Sequence, residues 1–219
     1  MIVRLCEEAA GDEAIYRGWT DCFAGLAMTV LICLFSFNAP SQSKTFSSLS
    51  KYEKRWAFFH PFAALKIKKH QGEMYAICEE AKKETLLDQY SNGGKLDAFR
   101  HIFAMAYFSR FVKAKKLRKL GKAHEKGNYL NFKKGVLEDG ELADSISTVM
   151  DLANNEAGFI LSKKFKGLPV EVLKKEIISY IIQGGAIIVK RNEKGLYITC
   201  GGTPMPEEKK GTWSIPKCL

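Results

Sequence analysis

The chain has 219 residues, 46% of them hydrophobic, and a formal net charge of +10. That length buries the core of one medium domain, and six prolines with 11% aromatics exclude a chain disordered throughout. The positive excess draws anions, whether lipid head groups, cell-wall polymers or nucleic acid, without choosing among them.

Residues 1–21 set Arg4 and Arg17 against Glu7, Glu8, Asp12, Glu13 and Asp21, a side-chain sum of −3. They form an N-terminal extension unlike the basic start of a signal peptide. Residues 22–41 are expected to be a signal peptide or membrane anchor. Cys22 to Phe37 gives sixteen residues without a charge, short of the roughly 20 of an easy membrane span. That length suits a signal-peptide apolar region better, and Ala39 and Ser41 have the small side chains and spacing of a cleavage site. Translation from Met28 would remove the acidic start. An uncleaved anchor with its Lys-rich flank on the C-terminal side would keep the domain cytoplasmic; export ranks ahead of that. The expected location is the cell envelope, periplasmic or membrane-tethered, and the expected partner a membrane or cell-envelope component. Cys6, Cys22 and Cys33 lie in or before the apolar segment. Of Cys78, Cys200 and Cys218, the best disulfide pair is Cys200 with Cys218. No CxxC pair supports a structural zinc site.

Residues 42–50 read as a polar linker and 51–219 as the domain. In "KYEKRWAFFHPFAALKIKKH", Pro61 ends or kinks a helix. Apolar spacing predicts a helix within 72–90, and "SNGG" at 91–94 breaks it. Residues 96 to about 120 form one long helix or two broken ones, and Gly127 and Gly140 mark irregular chain. Helices follow from Asp144 to Leu161, with Ser145 or Ser147 as caps, and from Pro169 to Ile182, with proline in the first turn. After "QGG", "AIIVK" and "LYITC" flank "RNEKG" as a β-hairpin. The expected fold is mainly α, a compact multi-helix domain with a small C-terminal β-hairpin.

Polar residues interrupt the apolar helices in three places. In "KLDAFRHIFAM", Asp97 and His101 are four apart and share a helical face, with Arg100 beside it. "AHEKGNY" carries His124 and Glu125, and Asn128 excludes an HExxH motif. In "MDLANNEAG", Asp151, Asn154 and Asn155 form one polar stripe, and asparagine is a poor helix-interior residue unless its amide is occupied. His101, His124 and Asp151 offer ligands for a divalent metal such as zinc, with Glu125 able to take a proton from bound water. Metal-free acid–base chemistry, with Asp97 orienting His101, uses the same residues. A buried hydrogen-bonded network that only fixes packing is the competing explanation.

"LDAFRH", "AHE" and "MDLANNEAG", in this order and spacing, resemble the bacterial DUF6973 family over about Leu87 to Leu161. The flanking "WAFFHPFAALK" and "WSIPKC" are similar to a longer, Bacteroidota-type subgroup. The resemblance implies shared positions at Asp97, Arg100, His101, His124, Glu125, Asp151, Asn154, Asn155 and Gly158, and it is silent on activity. Members often carry histidine before the asparagine pair; Ala153 stands here, which removes any ligand role at that position.

"KAKKLRKLGK", 113–122, reads as a solvated basic helix face, and with no aromatic platform beside it nucleic acid is not expected as a partner. Two functions follow. The first is an exported or membrane-tethered hydrolase with His101, His124 and Glu125 as reactive groups and Asp97 and Arg100 assisting. Its metal ligands would be His101, His124 and Asp151, with Asn154 and Asn155 in support. The alternative is a non-enzymatic envelope or interaction domain with a buried polar network.

Overall fold

A computed structural model describes residues 46–137 and 140–219. Within the expected linker, Phe46–Ser48 makes a 3-10 turn and Ser50 caps the first helix, α1 (Lys51–Phe59). The cap is reciprocal: Glu53 N–H donates to Ser50 Oγ at 3.2 Å, and Ser50 N–H donates to Glu53 Oε2 at 2.8 Å. Such a box satisfies two otherwise orphaned amides. α1 stops at His60 because the residue before a proline is pushed out of the helical region. Pro61 then opens α2 (Pro61–Ala81), where its missing N–H costs nothing.

α3 (Lys95–Phe108) starts without a side chain at its cap, Gly94. Asp88, from the preceding loop, accepts from Lys95 N–H at 2.8 Å and takes over that task. The chain breaks after Phe108, and α4 (Ala114–Lys133) follows. α5 (Ser145–Lys164) is capped by Asp144, whose Oδ1 accepts from Ile146 N–H at 2.8 Å and Ser147 N–H at 3.0 Å. α6 (Val170–Ile182) follows Pro169.

α3 lies at the centre and packs chiefly on α5, with α6, α2 and α4 around it. Ala98, Phe99, Ile102, Phe103, Ala106 and Tyr107 are all buried, and the rings of Phe99, Phe103 and Tyr107 stack in series. Each large side chain so buried contributes about 1.5–3 kcal/mol, so this row is a substantial part of the apolar core. Gly158 of α5 sets the closeness of the main contact: a Cβ there would stand 2.5 Å from the Ile102 carbonyl oxygen. α1 lies on α4, where Gly127 makes room for Ser50 and Trp56 Nε1 donates to the Lys116 carbonyl at 2.9 Å. Gly127 thus sits inside a helix, where the sequence predicts irregular chain.

The expected β-hairpin does not form. Among the described residues there is no strand, only isolated bridges at Arg191–Tyr197 and Ile198–Pro204. The reason lies in where the backbone groups go. Ile187 pairs with the Asn154 side chain, Val189 N–H donates to Gly93 O, and Lys190 N–H donates to Cys218 O. The "AIIVK" segment is spent on α5, the "SNGG" turn and the C-terminal tail, so too few groups remain for a ladder. The tail is tied back by the Cys200–Cys218 disulfide and by a buried Lys217–Asp144 ion pair at 2.9 Å.

The extension 1–21 and the signal or anchor at 22–41 lie outside the described residues. Among the described residues no helix is long and apolar enough to cross a membrane. The longest, α2, carries Lys66, Lys68, Lys69, Glu73, Glu79 and Glu80, and charges at mid-bilayer cost about 2.5–3.5 kcal/mol each. For the described residues the expectation of a transmembrane helix in a membrane-tethered, envelope-located protein is corrected accordingly; the segment at 22–41 that prompted it lies outside them.

Candidate functional site

The polar residues of α3 and α5 meet where the two helices cross. Asp97, in the first turn of α3, is buried, and its Oδ2 accepts from Gly93 N–H at 2.8 Å. Gly93 has φ +74°, a conformation glycine adopts without steric cost. Arg100 donates to the Ser91 carbonyl at 2.9 Å and lies 3.9 Å from Asp97 Oδ1. Together these residues hold the "SNGG" turn against α3.

One turn on, His101 reaches across to α5. Its Nε2 lies 3.2 Å from Asp151 Oδ1 and 3.7 Å from Asp97 Oδ1, while Nδ1 lies 3.3 Å from Asn155 Oδ1. Burial pushes the Asp151 carboxyl up to about 7, and the nearby Asp97 and Glu125 charges add to the rise; His101 and His124 oppose it. Asp97, His101 and Asp151 form a group able to hold a metal ion, with one ligand atom from each and all three atoms within 4.8 Å of one another.

The other expected site residues have separate attachments. His124 Nδ1 lies 3.1 Å from Glu53 Oε1, between α4 and α1. Burial alone would push Glu53 up, but the hydrogen bond and charge of His124 and the two Ser50 hydrogen bonds outweigh it and hold the carboxyl at about 2. Glu125 is buried and accepts from Thr148 Oγ1 of α5 at 3.2 Å. Asn154 is fully buried, with its amide donating to Ile187 O at 2.8 Å and accepting from Ile187 N–H at 3.0 Å. Asn155 faces Gly121 of α4, where a Cβ would stand 3.1 Å from its Nδ2.

The structure therefore gathers Asp97, His101, Asp151 and Asn155 into one centre. His124 stands with Glu53, outside the group of three, yet near enough for its charge to act on Asp151, as that of Glu125 does. Sequence reasoning passed over Glu53, Asp88, Gly93 and the Asp144–Lys217 pair. Only the S-x-x-E box at Ser50 and Glu53 carried a local signal; Asp144 and Lys217 are 73 positions apart.

The fold and centre define a mainly helical domain closed by buried carboxylates and amides and half-buried histidines. Residues 54–185 match the family described as Domain of unknown function (DUF6973), which is more than half of the chain, and the protein belongs to that family. The matched region is wider than the three motifs alone and carries no subgroup. No curated relative and no solved structure matches the chain.

Proposed function

We propose that the domain is a non-enzymatic interaction module whose buried polar network locks the helices and the C-terminal segment together. One observation carries this: the Asn154 amide, fully buried, makes both of its hydrogen bonds to the backbone of Ile187. Asp97 and Arg100 likewise bind backbone groups of the "SNGG" turn. These are the contacts of a scaffold, in which side chains on the helices fix the main chain of neighbouring segments. The surface a partner would cover is the α1–α2 corner, where Phe58, Phe59 and Phe62 are exposed, Phe62 by 78%. Arg55 sits 5.8 Å over the Phe59 ring there. A cluster of this kind marks an interaction face, and its chemistry suits an apolar surface with acidic groups.

A hydrolase is the second reading, favoured by one specific observation. His101, with 16% of its side chain exposed, adjoins a carboxyl raised to about 7, a pairing suited to proton transfer at neutral pH. Zinc would be its metal on this reading, since three protein ligands leave a zinc position open for water. The two readings separate in a screen of phosphoester and acyl substrates run on wild type and His101→Gln. The lock requires that no turnover be lost in His101→Gln; a hydrolysis that disappears in the variant, with the fold intact, overturns it.

A further inference from the structure

We propose that Asp97, His101 and Asp151 bind a first-row transition-metal dication across the α3–α5 contact. The proposal rests on the lock reading only in treating this centre as part of what joins the two helices. It starts from the histidine tautomer. The Asn155 amide oxygen accepts and cannot donate, so the contact at 3.3 Å places a proton on His101 Nδ1. In the neutral ring Nε2 then presents a lone pair. Facing that lone pair are two carboxylate oxygens, Asp151 Oδ1 at 3.2 Å and Asp97 Oδ1 at 3.7 Å.

Three acceptors converge, and something positive between them would relieve the repulsion. A proton, whether on the ring or on Asp151, joins only one pair of these atoms, and as placed Asp151 Oδ1 is buried and receives no hydrogen bond. An N–H is directional and its oxygen partner must lie in line, whereas a cation can attract all three atoms at once. Two of the three spacings fit an ion, and the third lies within 4.8 Å. Ligands about 2.0 Å from a tetrahedral metal stand about 3.3 Å from one another, beside the observed 3.2 and 3.7 Å. Charge fits as well: with Arg100 only 3.9 Å from Asp97 Oδ1 as partial compensation, a dication would hold both buried carboxyl groups in their charged form against the desolvation cost.

The surrounding contacts are those of a metal site. Gly93 N–H holds Asp97 Oδ2 and leaves Oδ1 facing His101. Asn155 holds the far nitrogen of the ring. Groups of this kind orient metal ligands and set the tautomer of a ligating histidine. One imidazole with two carboxylates selects zinc or manganese over calcium, which takes six to eight oxygens, and over magnesium, which prefers all-oxygen shells rich in water.

The test uses the full chain, stripped with EDTA and dialysed, in thermal unfolding with Zn²⁺, Mn²⁺, Mg²⁺ or Ca²⁺ added, and in calorimetric titration. Zn²⁺ or Mn²⁺ should raise the midpoint by about 5–10 °C when present at a hundredfold its Kd, with one ion bound per chain. Asp151→Asn removes one buried charge, so its metal-free midpoint should equal or exceed that of wild type while the metal shift is lost. His101→Gln should lose the shift too, and serves if the first variant does not fold. No shift with any of the four ions in wild type overturns the proposal, and so does a shift that survives in the variants, which would place the ion elsewhere. Stability measured for Asn154→Ala in EDTA reports on the lock alone, so either idea can fail without the other.

Discussion

Asn154→Ala should loosen the join between α5 and the C-terminal segment. The wild-type amide gives Ile187 two hydrogen bonds, at 2.8 and 3.0 Å, each contributing about 0.5–1.5 kcal/mol net. Asn154 is fully buried, so truncation also leaves a small void with its lost contacts. The sum is about 2–4 kcal/mol, or a midpoint lowered by roughly 4–16 °C for a domain of this size. Chemical denaturation measures the global loss, and hydrogen exchange locates it. The Ile187 amide, which donates to Asn154 Oδ1, should lose protection more than amides in the centre of α3. Asn154→Asp makes the sharper comparison. It keeps the acceptor for Ile187 N–H but turns a carboxylate oxygen toward the Ile187 carbonyl, so it should cost at least as much as alanine. Unchanged Ile187 protection with a loss below about 0.5 kcal/mol, the range of a neutral surface change, would refute the clamp.

Gly158→Ala should destabilise by about 1–3 kcal/mol in denaturant titration: the usual helical gain of alanine over glycine, about 1 kcal/mol, is outweighed because the new Cβ would meet the Ile102 carbonyl oxygen at 2.5 Å. Glu53 lies near 2 in the fold against an ordinary 4.5, so its stabilisation is present above about pH 4.5 and lost as pH falls toward 2. Integrated over that window it amounts to about 3 kcal/mol, and Glu53→Gln should flatten the acid limb of a stability–pH curve; an unchanged limb refutes the His124–Ser50 anchoring. Reducing Cys200–Cys218, which closes a separation of 18 residues, should cost about 3 kcal/mol, seen as a lower unfolding midpoint in dithiothreitol. Cys78 is buried with its thiol pushed up to about 12, so a native-state alkylation assay should leave it unmodified while denatured protein reacts.

Periodicity located the helices well because the apolar faces are long: 144–161 and 169–182 as expected became Ser145–Lys164 and Val170–Ile182. Other boundaries moved: the helix expected within 72–90 is Pro61–Ala81, and the one expected to end near 120 runs on to Lys133. Asp88 serves α3 from seven positions before Lys95, a relation no local motif encodes. Glycine misled at 127, where its value lies in the approach of Ser50 rather than in a turn. The hairpin was misread because an alternating apolar segment shows that a chain is extended without showing what it pairs with. For Ile187 the pairing group is a side chain 33 positions away. At the site, spacing put Asp97 with His101 and Asp151 with Asn155 on common faces, and the helix crossing joined the two pairs. His124 meets Glu53, 71 positions earlier, a contact that no local spacing announces.

The residues that carry the family resemblance therefore divide by what packing explains. Gly158 is required by helix approach, Asn154 by the Ile187 backbone, Arg100 by the Ser91 carbonyl, and Asn155 by the orientation of the His101 ring. Packing explains one oxygen of Asp97, the one bound to Gly93, and Arg100 lies 3.9 Å from the other. It does not explain why the other faces His101 beside Asp151 Oδ1, in a place where an apolar pair of the same volume would remove a buried repulsion and often add stability. Scaffold duties thus surround a core of three atoms, His101 Nε2 and the Oδ1 atoms of Asp97 and Asp151, whose arrangement works against stability unless a proton or a metal ion joins them, since Arg100 at 3.9 Å compensates Asp97 only in part. That residue of unexplained chemistry is why the centre is best tested with metal ions before substrates.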